Sequence, residues 1–285
     1  MRKILVTGGS GFIGSCIVKL LLEKKFKVIV IDKKKPKNNN VKFIKSNLLN
    51  LKTLKNITKN VDCIFHLAGV SDINKVKNIP VETIRDNVLI TTYLLEASKT
   101  NKIKRFIFAS SIYSHGKSGN LYTTSKVSSE NIIKNFSLLY NLKYTVLRYA
   151  TAYGTNNRGA DVISLFLAKA LQNKTINVHG DGTQTRDFIH AEDIAQCSIK
   201  ALNKGFENKI ITVGNKKRVS IFEIAKLVKK ITKSKSVIKV NKKRKRFDDF
   251  DLNDMKKISV KNYLKFKGKY TLKSGIEKLY KEYTK

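Results

Sequence analysis

Tyr122 and Lys126 stand four residues apart, with Ser110 and Ser111 shortly before them. On a helix that spacing puts the phenol and the ammonium on one face. An ammonium beside a phenol lowers its pKa and makes it a usable acid/base. A serine hydroxyl nearby can hold the substrate oxygen whose proton the phenol takes. The pair is weak evidence by itself, because Tyr113/Lys117 and Tyr263/Lys267 share its spacing in a lysine-rich chain. Position selects among the three. Tyr113/Lys117 encloses Gly116 and reads as loop, and Tyr263/Lys267 lies far along the chain. Only Tyr122 opens a predicted helix directly after an apolar strand, Arg105 to Ala109, that ends in Ser110-Ser111. Ser111 is the favoured substrate-orienting residue; the alternative is that both serines only help the chain to turn.

A second constellation lies at the start of the chain. Thr7-Gly8-Gly9-Ser10-Gly11-Phe12-Ile13-Gly14 follows the apolar run Ile4-Leu5-Val6 and opens into a helix with a broad apolar face. A glycine-rich turn there aims bare backbone N–H groups at an anion, as at a phosphate or pyrophosphate site. The next strand, Lys27 to Ile31, ends at Asp32, which is 18 positions after Gly14. That is near the ~20 expected of a carboxylate that holds a ribose. A plain tight turn explains the glycines but not the acidic residue.

The elements that must position these groups alternate. Strands are predicted at Val41–Lys45, Val61–Gly69, Arg105–Ala109 and Tyr144–Arg148. Helices are predicted over 48–57 and 81–99, from about Leu121, and over Val162–Leu171. Continuous apolar strands alternating with helices mean a parallel sheet covered on both faces. The predicted class is α/β, a Rossmann-type doubly wound sheet with a smaller C-terminal α/β substrate lobe. The expected division is 1–152 for dinucleotide binding, with a segment near 187–213 returning to it, and 153–186 with 214–285 for the lobe.

The bulk composition argues against other classes. The chain has 285 residues and a net charge of +37, which invites a nucleic-acid reading. Yet only nine of the 58 basic residues are Arg, and the 49 Lys are spread throughout. Arg is the usual residue for bidentate recognition, so specific nucleic-acid binding is not expected. Nonspecific adhesion to polyanions at low salt is. The densest basic run, Lys242 to Arg246, is followed by Asp248, Asp249 and Asp251. No apolar run approaches a membrane span, and no secretory leader is read at the start. Cys16, Cys63 and Cys197 have no metal-type spacing and fit reduced thiols in the cytoplasm.

In combination these pieces resemble the extended short-chain dehydrogenase/reductase family, in its NAD-dependent nucleotide-sugar epimerase/dehydratase branch. The matching stretches are Thr7–Gly14, Asp32, His66-Leu67-Ala68-Gly69, Asn87-Val88, Ser110-Ser111, Tyr122–Lys126, Leu147-Arg148-Tyr149 with Tyr153-Gly154, and His179–His190. A weaker match is Tyr270-Thr271-Leu272 with Gly275-Ile276. The resemblance implies that Tyr122 is the base, Lys126 also holds the nicotinamide ribose, and Ser111 orients the sugar. It implies NAD contacts at Gly8, Gly11, Phe12, Ile13, Gly14, Asp32, Asn47, Leu48, Leu67, Ala68, Gly69 and Asn87. Arg186 and Thr151 are implied on the substrate side, Arg186 at the diphosphate, where a surface ion pair with Asp187 or Asp181 is the alternative. Lys33, Lys34 and Lys35 beside Asp32 could accept a 2′-phosphate, which leaves NADP open. No metal is implied; a homodimer through helices around Tyr93 and Ser128 is.

Departures bear on the reaction. Ser111 is followed by Ile112 and Tyr113, where the family's 4,6-dehydratases carry an Asp-Glu pair and its decarboxylases usually a Glu. The segment from Gly116 to Tyr122 is short. Asn47 replaces an Asp that often touches adenine, and Thr151 an Asn often near the phosphates. The expected activity is C4 epimerisation of a nucleotide-diphosphate hexose through a 4-keto intermediate. The alternative is an NAD(P)H-dependent reductase of a 4-keto-6-deoxysugar nucleotide; a non-catalytic polyanion binder is a distant third.

Overall fold

Apolar segments up to residue 149 become strands of one sheet, the inner ones because their side chains are buried on both faces and the edge strand, Lys42–Lys45, with its side chains only partly covered. The computed structural model describes residues 2–116, 120–155, 157, 161–242 and 263–284. The strands are β1 (Lys3–Thr7), β2 (Lys27–Asp32), β3 (Lys42–Lys45), β4 (Cys63–His66), β5 (Arg105–Ser111) and β6 (Tyr144–Tyr149). With β10 (Lys209–Val213) they form a seven-stranded sheet in the order β3-β2-β1-β4-β5-β6-β10, every neighbouring pair parallel. The chain moves outward from β1 to β3, then returns to the other side of β1. Where the order reverses, the strand ends open a crevice, the usual ligand position in such sheets.

Two cores cover the sheet. On one face, α1 (Phe12–Glu23) and α8 (Ala191–Lys200) bury Ile17, Leu21 and Ile194 against Ile4, Val6 and Phe65. On the other, α2 (Leu51–Ile57), α5 (Ile90–Thr100) and α6 (Leu121–Tyr140) bury Leu54, Leu94 and Ile133 against Leu5, Ile64 and Phe106. Asn120 caps α6 by accepting from the Thr123 N–H at 3.1 Å. Asn141 ends it in the left-handed region at φ 54°, a conformation Asn tolerates.

The predicted 81–99 helical region forms as one unbroken run that contains a π-helical turn. After α3 (Ile73–Val76), α4 (Pro80–Ile84) passes through a π-helical turn, Arg85–Leu89, into α5. The wider turn buries Asp86 and Asn87, polar groups that need partners. The helix predicted over 48–57 starts only at Leu51, because Leu48 sits at φ 64° and Asn50 caps the Thr53 N–H at 2.9 Å. β4 stops at His66, three residues short of the predicted Gly69. β5 runs two residues further than predicted and takes in both serines.

The remaining elements share a third core. β7 (Thr151–Tyr153), β9 (Thr185–His190) and β11 (Arg218–Ser220) form a sheet in the order β11-β9-β7, and β8 (Ile176–His179) pairs with β12 (Ile238–Asn241). α7 (Val162–Leu171), α9 (Ile221–Thr232) and α10 (Leu272–Tyr283) close over them through Phe166, Val178, Phe188, Ile224 and Leu279. Thr151 and Arg186 belong to this second sheet. Most of the basic run 242–246, the acidic residues after it and Lys117 lie outside the described residues. Among the described residues no helix is long and apolar enough to cross a membrane.

Candidate active site

The glycine turn needs glycine for two separate reasons. Gly8 has φ +71°, and a Cβ there would come within 2.8 Å of the Ala68 nitrogen. A Cβ on Gly14 would collide with the Gly8 carbonyl oxygen. α1 therefore starts hard against β1, with its first N–H groups facing the crevice. Gly8 N–H donates to Ile31 O at 3.0 Å, which ties the turn to β2. Asp32, ending β2, accepts from the N–H groups of Ser10 at 3.0 Å and Lys34 at 3.1 Å. Its carboxylate is thereby fixed beside the turn.

The crevice continues into a cleft of about 1370 Å³. A single drug-sized ligand occupies ~300–1,000 Å³, so this volume fits two ligands side by side. One end is walled by Gly8, Gly11, Phe12, Ile13, Gly14, Asp32, Asn47 and Leu48, and the middle by Leu67, Ala68, Gly69, Ser111, Tyr122 and Lys126. Thr151 and Arg186 reach it from the second sheet. Of the residues expected from the sequence, only Asn87 is absent from the lining. It is 2% exposed. Its side-chain oxygen accepts from Val70 N–H at 2.7 Å, and its amide donates to Val70 O at 3.1 Å and Ser125 Oγ at 2.9 Å. Asn87 thus pins the loop after β4 to α6.

β5 and α6 bring Ser111, Tyr122 and Lys126 together. Ser111 lies near enough to the Tyr122 phenol to pull its pKa down, and Ser111 Oγ accepts from Tyr113 N–H at 3.3 Å. Lys126 Nζ donates to Ala109 O at 2.9 Å and lies 5.9 Å from the Tyr122 ring centre. The electrostatics differ from the sequence expectation. Burial raises the Tyr122 phenol above its ordinary range, with Ser111 pulling the other way. Burial pushes Lys126 down to about 8, against the attraction of Glu130. The ammonium faces a carbonyl rather than the phenol oxygen, so desolvation governs both groups.

Two features were not read from the sequence. His66, at the end of β4, is buried between Thr7 Oγ1 at 2.8 Å and Thr91 Oγ1 at 2.9 Å. Glu130, also buried, lies four residues beyond Lys126 and pairs with Arg148 at 2.6 Å. The i, i+4 spacing from Lys126 was the available signal for Glu130.

The comparisons with known proteins agree with this geometry. The sequence profile of the NAD dependent epimerase/dehydratase family matches residues 4–214. The chain belongs to that family. It is accordingly an NAD-dependent enzyme of the extended short-chain dehydrogenase/reductase type. A Methanocaldococcus jannaschii protein assigned as a UDP-glucose 4-epimerase is 35% identical, over 79% of this chain and 81% of its own. A UDP-N-acetyl-alpha-D-glucosaminuronate decarboxylase from Bacillus cytotoxicus is 31% identical, over 83% of this chain and 82% of its own. The solved structure of the Thermotoga maritima UDP-glucose 4-epimerase with UDP-glucose superposes with a TM-score of 0.85 at 27% identity, covering all of both chains. The cleft fits NAD: the glycine turn leaves backbone N–H groups and no side chain where a pyrophosphate would lie, and Asp32 is placed for a ribose.

Proposed function

We propose that the chain epimerises C4 of a nucleotide-diphosphate hexose through a transient 4-keto sugar. The observation that carries this reading is Ser111, Tyr122 and Lys126 lining the same cleft as the glycine turn, with Ile112 and Tyr113 after Ser111 instead of a carboxylate. An elimination or decarboxylation needs a further acid or base at that place; oxidation and reduction at one carbon does not. Relatives acting on UDP-sugars support the substrate class.

The turn and Asp32 hold the cofactor in this reading. Bound NAD supplies a hydride acceptor and donor, and a positive ring that favours the Tyr122 phenolate. Tyr122 takes the C4 hydroxyl proton and returns it, with Ser111 fixing the oxygen. Lys126 holds the ribose. Arg186 offers a guanidinium fork to the diphosphate. The three cysteines are free thiols, in keeping with a reducing cytoplasm. Exposed Val81, Ile84 and Leu89 flank the π turn, an apolar surface suited to a second copy of the chain. Light scattering at the mass of a single chain would exclude that dimer.

The test is turnover of UDP-, GDP-, CDP- and dTDP-hexoses by the purified chain, with products identified by NMR. An epimerase carries its NAD(H) through purification and inverts C4 without added reductant. Stoichiometric consumption of NAD(P)H would establish the reductase, and loss of water or CO₂ would reject both. Arg186→Ala is expected to raise KM roughly tenfold or more, the weight of a charge-assisted contact of 1.5–3 kcal/mol, with a smaller change in kcat. An unchanged KM would remove Arg186 from the diphosphate site.

A further inference from the structure

The sequence places Ser110 beside Ser111, the favoured candidate, and gives it no role of its own. The structure separates them. Ser110 is 4% exposed, and its hydroxyl donates to Glu130 Oε1 at 2.5 Å, with Ser114 Oγ 3.1 Å away. Glu130, 1% exposed, also accepts from Arg148, through Nε at 3.0 Å and through a second guanidinium nitrogen at 2.6 Å. The third Arg148 nitrogen donates to His115 Nδ1 at 3.1 Å, so His115 is neutral and its Nε2–H donates to Thr212 Oγ1 at 2.8 Å.

We propose that Glu130 is a positioning residue of the reacting centre, acting through Ser110 to hold Ser111 in register with Tyr122. This rests on the reading of Ser111 and Tyr122 given above.

The argument is one of placement. Ser111 belongs to β5, while Tyr122 and Lys126 belong to α6. The two residues before Ser111 are each bonded to α6: Ala109 by Lys126 and Ser110 by Glu130. Arg148 then locks Glu130 to β6. Through His115 it also reaches Thr212 on β10 and holds the turn Ile112–His115 that leaves Ser111. A buried ion pair is a poor source of net stability, because desolvation offsets most of the attraction and packed apolar residues serve as well. What a fully satisfied ionic network supplies is a single geometry. Here that geometry is the distance between the serine and the phenol. Burial pushes Lys126 down and Glu130 pulls it back up, so the same carboxylate helps keep the ammonium charged.

Ser110→Ala tests this in the full chain. It removes one hydroxyl and leaves the Glu130–Arg148 pair intact, so the fold is not in question. Its kcat is expected to fall roughly 10–10²-fold, the scale of a sub-ångström to 1 Å misplacement. KM and NAD affinity should stay at wild-type values, while loss of the buried bond lowers the melting temperature modestly. Glu130→Gln should lower kcat further, with the same unchanged KM. Wild-type kcat in Ser110→Ala overturns the proposal. So does a loss of kcat that comes with reduced NAD affinity, since that marks general loosening. If the unaltered chain turns over no nucleotide sugar, the functional reading itself falls and takes the proposal with it. Turnover with an indifferent Ser110 sinks only the positioning role.

Discussion

Replacing Tyr122 by Phe is expected to lower kcat by roughly 10²–10⁴-fold, the usual weight of a positioned acid/base. The ring is buried, at 8% exposure, and phenylalanine keeps all of its packing. Only the hydroxyl is lost, together with its interaction with the nearby Ser111. Ser111 still accepts from the Tyr113 N–H, so it retains a partner and the local fold has no reason to change. Melting temperature should therefore stay near the wild-type value while turnover collapses. In oxidation the C4 hydroxyl must give up its proton as hydride leaves the carbon, and the neutral hydroxyl of Ser111 is too weak a base to take it. Lys126 is turned toward Ala109 O. Near-wild-type kcat in the variant would show that some other group, or water, takes the proton. A loss of kcat accompanied by unfolding would leave packing, not proton transfer, as the role of the ring.

The parts legible in the sequence were those with local causes. The glycine turn, Asp32 and the start of α6 depend on a strand ending and a helix beginning within a few residues, and spacing records that. The placement of Tyr122 and Lys126 was legible only in part. Their spacing puts them on one helix face, but it does not say what the ammonium points at. That depends on β5, whose Ala109 carbonyl takes the Lys126 proton donor. Asn87 shows the same limit. A polar residue in a helical stretch could face a ligand or a loop, and only the π-helical turn at Arg85–Leu89 aims it at Val70 and Ser125. The Glu130–Arg148 pair joins α6 to β6 across 18 residues, a contact that no periodicity encodes. The segments around Thr151 and Arg186 were least legible, because β7 and β9 meet only through long-range pairing, with Thr151 beside Phe188.

Acidification should destabilise this protein above the carboxylate range, because three of its four histidines are held neutral, two of them, His66 and His190, buried. His66 is pushed down to about 3 by burial, with Lys126 adding repulsion. His115 is pushed to about 4 by burial and by Arg148, and His190 to about 4 chiefly by burial. The hydrogen bonds agree. Thr91 commits its own proton to Asn87 O at 2.6 Å, so His66 Nε2–H donates to Thr91 and Nδ1 accepts from Thr7. A second ring proton would face a hydroxyl already donating. A folded-state pKa below the unfolded value of ~6.5 means the unfolded chain binds more protons, so stability is full above that value and falls as pH drops through the window. By pH 5 each fully buried histidine costs about 2 kcal/mol; the partly exposed His115 costs less. The sum is a large share of a typical total of ~5–15 kcal/mol. The buried carboxylates of Asp161, Asp187 and Asp193, raised by burial, act in the opposite sense, since the fold then holds their protons more tightly than the unfolded chain does. The high net charge also adds general repulsion in acid, so the decisive comparison is between variants. Melting temperature against pH from 7.5 to 5 should fall steeply in the wild type and less steeply in His66→Asn, whose amide can bond both threonines without titrating. Parallel curves would show that His66 takes up its proton in the fold, and would overturn the neutral assignment.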